Sequence, residues 1–594
     1  MCGIIGVVGR KQNAPQLVID GLKRLEYRGY DSWGVAFSKR TGLTLEREIG
    51  KLEESGARLK QLAAERAKLA LGHTRWATHG GRTVANAHPH RSCDGRIVLV
   101  HNGIIENYQE LRDELKAVGH RFQSETDTEV LAHLIEAARP DTKTLAEAVR
   151  LALGKIQGSF AIAVFEVGGR ELVGARRGSP LVIGLGLDQA YLASDVPAFL
   201  AATRWVIFLE ENDLVVLNGG RPVIRNLTTN KIVTRSEVQI SWDAAQAERG
   251  EHPDFMHKEI FEQPATLRRA LGQPRRELER FAKLIHQAYG VFLVGCGSAY
   301  HAGLTGLYLF SHLAKRHVNL AVASEFPCYE EFLTPKTLLV PISQSGETAD
   351  TLEAVRAAKR RDVKVAAIVN VQGSTLMREA DQSLLTLAGP ELCVLATKSF
   401  TSQVALLTLL AYTLADQYRA GRNLLERAAD ELDAQLAEGT MASQLQALAR
   451  TLKAREHLYT VGRSLNYPTA LEAALKIKEV SYLHAEGFAG GELKHGSIAL
   501  IEAGTPVLVF ASRDHAEAEI LANAMELKSR GAQIIGIAPR PNEIFSNWLP
   551  VTDLPEAMPI LGAIPAQLLA YELALARGLD PDKPRNLAKS VTVK

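Results

Sequence analysis

The sequence predicts an α+β N-terminal part followed by two tandem α/β domains with parallel sheets. Short apolar runs mix with helical patterns before about residue 240, and a polar stretch from Ser241 to Asp254 interrupts the chain. After about residue 280, β-branched runs alternate with amphipathic helices, and this pattern occurs twice. Such a repeat is typical of duplicated parallel sheets with crossover helices.

Length and composition favour a multidomain enzyme that acts on small molecules. At 594 residues the chain has room for about three domains. Its hydrophobic fraction of 46% and charged fraction of 23% are ordinary for globular proteins. The 69 basic and 67 acidic residues give a net charge of +2, which predicts neither nucleic acid nor an anionic membrane as a partner.

The cysteines and the N-terminus predict a cytoplasmic protein. The five cysteines lack the paired spacing of a zinc site or a disulfide framework: Cys2, Cys93, Cys296, Cys328 and Cys393. The apolar N-terminus lacks the basic region of a signal peptide, and we expect no run of about 18 apolar residues anywhere. The chain is therefore expected to be neither exported nor membrane-spanning.

Apolar periodicity places the individual elements. In the N-terminal part, strands are predicted at 97–100, 161–165 and 206–209. The first α/β copy has predicted strands at 291–294, 338–342 and 365–368 and a predicted helix at 349–361. The second copy has predicted strands at 458–461, 506–510 and 533–537 and predicted helices at 470–482 and 515–530. One long helical stretch is expected over 401–453. The predicted boundaries are 2–240, a linker and helical lead-in at 241–280, domains at 281–430 and 450–582, and a C-terminal tail at 583–594.

Cys2 follows the initiator methionine and becomes the N-terminal residue if that methionine is removed. Its free α-amino group, with a pKa near 8 in small peptides, can then take the thiol proton, as in an N-terminal nucleophile. Position alone is equally compatible with a buried cysteine at the start of a strand. Considered alone, Cys2 leaves both the nucleophile and the buried structural cysteine open as interpretations.

Several motifs accompany Cys2: CGIIGVVG at 2–9, LEYRGYDS at 25–32, HTRWATHG at 73–80, HNGIIEN at 101–107 and SETDT at 124–128. Together they resemble the glutaminase domain of the class II amidotransferases, which implies an α/β/β/α sandwich of the N-terminal-nucleophile type. The resemblance implies Cys2 as nucleophile, with Asn102 and Gly103 as the oxyanion hole.

The same motifs supply groups for the two ends of glutamine. Arg75 can bind an α-carboxylate bidentately, and Asp127 can pair with an α-ammonium. Thr78 and His79 are expected to line the same pocket, and the resemblance implies that Trp76 gates an ammonia channel. His88 and His90 have no further ligands in sequence, so no metal site is predicted.

A polar run, SQSGET at 343–348, lies between a predicted strand and a predicted helix, where free backbone N–H groups favour an anion. By itself the run could also be a capped helix start without a ligand. It resembles the sugar isomerase family, which implies contacts with a sugar phosphate. The implied contacts are Cys296, Gly297, Ser298, Ser343, Gln344, Ser345 and Thr348.

Acid–base groups lie further along. Glu472, Lys476 and Glu479 share one helix face by the i, i+3 and i+4 rule, a pattern that a solvated salt-bridged face also gives. The family resemblance implies Glu479 as the isomerising base, and Lys476 as a helper near the phosphate or in proton transfer. It also implies His495 for ring opening across a subunit interface and Lys589 as the Schiff-base lysine, although a basic residue on a frayed tail is the alternative for Lys589. Ala299 and Ala396 replace hydroxyl residues that are common in the family.

Glutaminase followed by two isomerase domains implies a reaction. D-Fructose 6-phosphate and L-glutamine would become D-glucosamine 6-phosphate and L-glutamate, with ammonia channelled between sites and no cofactor, as the first step towards UDP-N-acetylglucosamine. A homodimer is expected. Three alternatives are not supported by the sequence. A sugar-phosphate-sensing regulator would need a basic helix-turn-helix, and a purine-pathway phosphoribosyltransferase would need an acidic phosphoribosyl-diphosphate loop, and neither segment is evident. An interaction protein with inactive sites would have lost some of the catalytic residues, and none is lost.

Overall fold

The computed structural model describes residues 2–39, 42–242 and 244–592. Met1, Asp243 of the predicted linker, and Val593 and Lys594 of the predicted tail lie outside the described residues. The chain forms two compact units, Met1–Glu248 together with Ala588–Lys594, and Arg249–Leu587. The predicted domain boundaries remain predictions.

The first unit contains two antiparallel sheets. The eight-stranded sheet has the order β14-β11-β9-β10-β1-β4-β2-β3, and the six-stranded sheet has the order β13-β12-β8-β7-β6-β5. Their strands are β1 (Gly3–Gly9), β2 (Ser32–Lys39), β3 (Gly42–Ile49), β4 (Leu69–Arg75), β5 (His90–Arg91), β6 (Ile97–Ile105), β7 (Gly158–Glu166), β8 (Leu172–Arg177), β9 (Val182–Leu185), β10 (Gln189–Ala193), β11 (Trp205–Phe208), β12 (Asp213–Leu217), β13 (Val223–Asn226) and β14 (Glu237–Gln239).

Helices cover the outer faces of both sheets. They are α1 (Ala14–Leu25), α2 (Gly56–Ala63), α3 (Tyr108–Ala117), α4 (Glu129–Ala138) and α5 (Leu145–Leu153). Side chains that alternate along β1 face opposite sides of its sheet. Ile4 and Val8 belong to the cluster between the two sheets, whereas Ile5 packs against Gly21 of α1. The helices α3, α4 and α5 bury the other face of the six-stranded sheet. The α/β/β/α sandwich is therefore confirmed.

The second unit contains two parallel five-stranded sheets. Their orders are β16-β15-β17-β18-β19 and β21-β20-β22-β23-β24. The strands are β15 (Gly290–Gly295), β16 (Asn319–Val322), β17 (Thr337–Ser343), β18 (Lys364–Val369), β19 (Gln382–Leu385), β20 (His457–Gly462), β21 (His484–Ala489), β22 (Pro506–Phe510), β23 (Gln533–Ala538) and β24 (Asn547–Pro550). The predicted tandem parallel-sheet domains are confirmed. Both sheets have the 2-1-3-4-5 order, in which a ligand cleft forms where the order reverses, at β15/β17 in the first sheet.

The helices of the second unit are α6 (Phe255–Phe261), α7 (Gln263–Ala270), α8 (Arg275–Gln287), α9 (Ser298–His312), α10 (Ala349–Arg360), α11 (Thr375–Glu379), α12 (Lys398–Leu414), α13 (Tyr418–Ala437), α14 (Thr440–Leu452), α15 (Asn466–Ser481), α16 (Glu517–Lys528), α17 (Met558–Leu561) and α18 (Ala563–Ala576). The stretch 401–453, expected to be helical, is helical but is divided into three helices. Left-handed residues at Asp416 and Gly439 break it into α12, α13 and α14.

The expectation that the chain has no apolar stretch of about 18 residues also needs correction. The segment Pro555–Ala576 is one helical stretch long and apolar enough to cross a membrane, with a mean hydropathy of 1.4 over 18 residues. Scattered polar residues such as Gln567 and Glu572 hid this stretch from a search for an uninterrupted apolar run. In the structure 89% of that window is buried, and α18 packs against α14 and α15 in the core of the second unit.

Candidate active site

Cys2 lies immediately before β1, which is hydrogen-bonded to β4 on one side and β10 on the other. The Cys2 Sγ contacts the backbone of Trp76, accepting from its N–H at 3.3 Å and lying 3.5 Å from its carbonyl oxygen. Burial raises the pKa of the Cys2 thiol. The raised pKa disfavours the thiolate form of Cys2 in this environment.

The side chain of Asn102 points at Cys2. Asn102 follows the apolar part of β6, and its Nδ2 donates to the Cys2 carbonyl oxygen at 2.8 Å. His73 of β4 fixes this amide, because its Nε2–H donates both to Asn102 Oδ1 at 3.0 Å and to the His101 carbonyl at 3.2 Å. Both partners of Nε2 are acceptors, which assigns the proton to that nitrogen.

His73 is a neutral positioning residue. Burial lowers its pKa to about 3, so the imidazole carries no charge near neutral pH. The rings of His73 and His88 stack at 4.1 Å, and burial likewise lowers the pKa of His88. The motif contained His73, but its role as the holder of Asn102 became evident only from the strand pairing.

Gly103 has a backbone that other residues rarely adopt. Its φ is +139°, and a Cβ atom at this position would lie 2.1 Å from the Ser159 carbonyl oxygen on β7. Glycine therefore permits the close pairing of β6 and β7 at this position, where Gly103 lines the pocket.

Arg75 and Asp127 are both buried and line the same pocket as Cys2. The Arg75 guanidinium donates to the carbonyl oxygens of His79, Gly80 and Gly81, which fixes the loop after β4. Among the described residues these bonds use three of its five N–H groups, so the Nε–H and one Nη1–H can donate to a ligand. Asp127 receives the Ile105 N–H at 2.9 Å through Oδ2.

The pocket itself is a mixed polar cavity. The residues around it are Cys2, Arg75, Trp76, Thr78, His79, His88, His101, Asn102, Gly103, Thr126, Asp127, Thr128 and Thr592. All the glutaminase residues predicted from the sequence are among them. His88, His101, Thr126 and Thr128 also line the pocket but were not predicted as site residues. Thr592 was missed too, because a residue so far along the chain carries no local signal of belonging to an N-terminal pocket.

In the second unit, two polar loops follow neighbouring strands. Cys296, Gly297 and Ser298 follow β15, and the loop 343–348 follows β17. Because parallel strands end on the same sheet edge, both loops lie where the strand order reverses. Ser343 Oγ accepts the Gly346 N–H at 3.0 Å, and Ser345 Oγ accepts the Glu347 N–H at 3.2 Å. Gln344 belongs to this loop, and Thr348 stands at the start of α10.

The helix α15 carries a buried ionic network. Lys476 is 1% exposed, and its Nζ lies 2.6 Å from Glu479 and 3.4 Å from Glu472. Ser298 bridges to the same network, since its Oγ lies 2.8 Å from Glu472 and 3.0 Å from Lys476 Nζ. The alternative of a solvated salt-bridged face is therefore wrong for Lys476 and Glu472, which are both buried.

Charge pairing dominates this network. Burial by itself would raise the pKa of Glu472, but the ammonium of Lys476 together with the contacts of His301 and Ser298 leaves the pKa lowered. Burial opposes the charge of Lys476, but the two carboxylates raise its pKa well above its usual value. His301 adds a further contact, with Nδ1 2.8 Å from Glu472 Oε2. Ser298 thus anchors α9 to α15, a role that the sequence did not indicate.

His495 and Lys589 belong to other parts of the chain. His495 is exposed at the end of a short 3₁₀ helix, Gly490–His495, and within the described chain no hydrogen bond or ion pair joins it to Glu479. Lys589 is half-buried in the segment Ala588–Lys594, which belongs to the first compact unit.

Comparisons with known proteins match both units. Residues 42–219 match the glutamine amidotransferase domain family, and residues 284–413 and 451–577 match the SIS domain family. The chain is 44% identical over the full length of both proteins to the glutamine–fructose-6-phosphate aminotransferase (isomerizing) of Thermococcus kodakarensis. The chain belongs to the glutamine–fructose-6-phosphate aminotransferase (isomerizing) family.

Other members of this aminotransferase family support the assignment. The protein of the same name from Thermus thermophilus is 43% identical, also over the full length of both chains. Among solved structures, the C-terminal domain of glucosamine-fructose-6-phosphate aminotransferase from Francisella tularensis is 32% identical, with a TM-score of 0.53. It covers 57% of this chain and is itself covered completely. The resemblance predicted from the motifs is confirmed.

Proposed function

We propose that this chain transfers the amide nitrogen of L-glutamine to D-fructose 6-phosphate, giving L-glutamate and D-glucosamine 6-phosphate, the first step towards UDP-N-acetylglucosamine. The observation that carries the proposal is the pocket where Cys2, Asn102, Gly103, Arg75 and Asp127 meet. It offers a nucleophile, two oxyanion donors and one group for each end of an amino acid.

Glutamine hydrolysis follows from these groups. After removal of Met1, the Cys2 α-amino group takes the thiol proton and the sulfur attacks the amide carbon. Asn102 Nδ2 and the Gly103 N–H receive the developing oxyanion. Collapse of the intermediate breaks the C–N bond and releases ammonia, and water hydrolyses the thioester to glutamate. Arg75 and Asp127 hold the α-carboxylate and α-ammonium, with Thr78 and His79 beside them.

Sugar chemistry is assigned to the second unit and the C-terminal segment. The loops 296–298 and 343–348 bind the sugar phosphate, since backbone N–H groups at the start of α10 and nearby hydroxyls suit a phosphate. His495 opens the ring, Lys589 forms an imine with the C2 carbonyl, and ammonia replaces the lysine. Glu479 then moves a proton from C1 to C2, with its carboxylate paired to Lys476. Trp76 restricts the route by which ammonia leaves the first unit.

A product assay with glutamine plus fructose 6-phosphate, compared with either alone, tests the reaction. Cys2→Ala should abolish glutamine-dependent synthesis while synthesis from ammonium salts continues. Cys328→Ser, which changes an exposed thiol of the second unit, is the matched control and should retain both activities. A parent protein that forms no glucosamine 6-phosphate rejects the reaction, and a Cys2→Ala variant that uses glutamine at the parent rate rejects the nucleophile.

Borohydride trapping separates the lysine assignment from the rest. Reduction in the presence of fructose 6-phosphate should attach the sugar to Lys589, as located by peptide mapping. A label on another lysine rejects Lys589 as the imine-forming residue while leaving the overall reaction intact.

We also propose a cytoplasmic homodimer in which His495 acts on the sugar site of a second copy. Its exposed position fits that arrangement. Variants His495→Ala and Glu479→Gln should each be inactive, and subunit exchange between them should restore activity, because some sites then contain both native residues. Failure to recover activity in a mixture with proven exchange rejects the shared site.

A further inference from the structure

Four metal-binding side chains converge in the first unit, away from the residues assigned to glutamine. They are Cys93, His120, His133 and Glu136, and one ligand atom from each lies within 4.8 Å of every other. Cys93 is in the turn between β5 and β6, His120 follows α3, and the other two lie one helical turn apart on α4. Three separate segments therefore meet at one point.

Four of the six ligand-to-ligand distances are close to those of a tetrahedral site, and the other two are at most 4.8 Å. For zinc bonds of about 2.3 Å to sulfur and about 2.0 Å to nitrogen or oxygen, tetrahedral angles require roughly 3.5 Å between sulfur and nitrogen and roughly 3.3 Å between nitrogen and oxygen. Cys93 Sγ lies 3.7 Å from His120 Nδ1 and 3.5 Å from His133 Nδ1. Glu136 Oε2 lies 3.0 Å from His120 Nδ1 and 3.3 Å from His133 Nδ1.

Charge and outer contacts agree with that geometry. A thiolate and a carboxylate with two neutral imidazoles carry a charge of −2, which balances a divalent cation. The backbone N–H groups of Cys93 and Asp94 donate to Glu136 at 3.1 and 2.8 Å and fix its carboxylate. The second ring nitrogen of His133 is buried and lies 3.7 Å from Glu129 Oε1, an ion-pair distance longer than a hydrogen bond.

We propose that Cys93, His120, His133 and Glu136 form a structural zinc site. Four protein ligands complete the tetrahedron, which is typical of structural rather than catalytic zinc. A mixed set of sulfur, nitrogen and oxygen donors suits zinc better than magnesium or calcium. Binding releases the Cys93 thiol proton to solvent.

The proposed zinc site stabilises the segment that leads into the glutamine pocket. Glu129, next to His133, also accepts the backbone N–H groups of Gln123 and Ser124 at 2.7 Å each. That segment leads directly to Asp127 of the pocket. Cross-linking the β5–β6 turn, the loop after α3 and α4 therefore fixes the segment that presents Asp127. The sequence did not reveal the site, because its ligands extend over 93–136 without paired spacing.

Zinc content of the full-length protein tests the proposal. Protein loaded with zinc under reducing conditions and freed of loosely bound metal should retain about one zinc per chain by mass spectrometry. Cys93→Ser and His120→Gln should reduce zinc to background. Cys328→Ser and Cys2→Ala should retain it, since the first changes an unrelated exposed thiol and the second removes the thiol of the glutamine pocket.

Cobalt substitution provides a readout independent of activity and folding yield. The cobalt-loaded parent should show a thiolate-to-metal charge-transfer band and intense tetrahedral d–d bands, and Cys93→Ser should lose the charge-transfer band. Zinc should also raise the melting temperature of the parent but not of Cys93→Ser. A parent without stoichiometric zinc overturns the proposal. So does equal zinc retention by Cys93→Ser, or loss of zinc from Cys2→Ala.

Discussion

At the scale of single residues, Gly103 combines a left-handed φ of +139° with a neighbouring carbonyl that excludes any Cβ atom. A side chain here would disturb the β6–β7 pairing and, with it, the direction of the Gly103 N–H. Its neighbour Asn102 has a different kind of support, since His73 holds its amide. The two proposed oxyanion donors thus depend on separate structural features.

We expect Gly103→Ala to lower glutaminase turnover by about 100-fold or more, the usual effect of losing one oxyanion donor. Ammonia-dependent synthesis should persist, because the change lies in the first unit. Glutamate release and glucosamine 6-phosphate formation from ammonium would be measured in parallel. Gly168→Ala is the control, since Gly168 also has a positive φ of +81° but has open space around it. Equal glutaminase rates in both variants would show that the Gly103 backbone is dispensable.

The glutaminase residues predicted from local motifs line one pocket in the structure, and most of them come in short runs such as 73–80 and 101–107. Two of the residues that were missed depend on folding. Thr592 reaches the pocket from the far end of the chain, and Cys93 meets His133 only after a turn and two helices are in place. No spacing rule covers such distances.

At the scale of elements, α15 shows how one helix face can be buried and ionic at once. Glu472, Lys476 and Glu479 share that face, and α9 contributes Ser298. Periodicity predicted the shared face but not its burial, because neighbouring helices cover it only after the sheets are formed. Similarly, composition could not locate the breaks after α12 and α13, which depend on single left-handed residues.

We expect Lys476→Met to destabilise the second unit by about 3 kcal/mol or more, because Glu472 would remain buried without its main countercharge. Lys478→Met changes an exposed lysine of the same helix and should shift stability by less than about 0.5 kcal/mol. Thermal unfolding of the two variants and the parent provides the measurement. If the two variants have the same melting temperature, Lys476 is not the group that compensates the buried charge of Glu472.

At the scale of the whole molecule, Asp582 joins the two ends of the second unit. Its carboxylate accepts the backbone N–H groups of Phe255 and Met256 at 2.8 and 2.7 Å. Burial raises the pKa of Asp582 to about 6, and these hydrogen bonds only partly oppose the increase. The chain therefore enters and leaves this unit at a junction that carries a titratable group.

This junction makes stability depend on pH in a defined direction. The pKa of Asp582 is higher in the folded state than the value of about 3.8 expected when unfolded, so the folded state binds more protons between about pH 4 and about pH 6. The Asp582 contribution to the free energy of unfolding should therefore fall as pH rises through that window and stay constant above it.

Melting temperatures of Asp582→Asn and the parent should be compared from about pH 4.5 to about pH 7. The variant should lack the Asp582 part of the decrease, so the difference between the two curves should change through the window. Asp362→Asn, at an exposed left-handed position that asparagine tolerates, should follow the parent. Parallel curves for parent and Asp582→Asn contradict the raised pKa.

Thr592 at the rim of the glutamine pocket has a consequence for protein synthesis. The ribosome makes Thr592 only after all of Arg249–Leu587, so a nascent chain that already contains Cys2 still lacks one of the residues that line its pocket. The pocket of the glutaminase half is therefore complete only after the second unit, which is proposed to consume the ammonia, has been translated. A chain cut before Ala588 during biogenesis or by proteolysis would lack Thr592 in the same way.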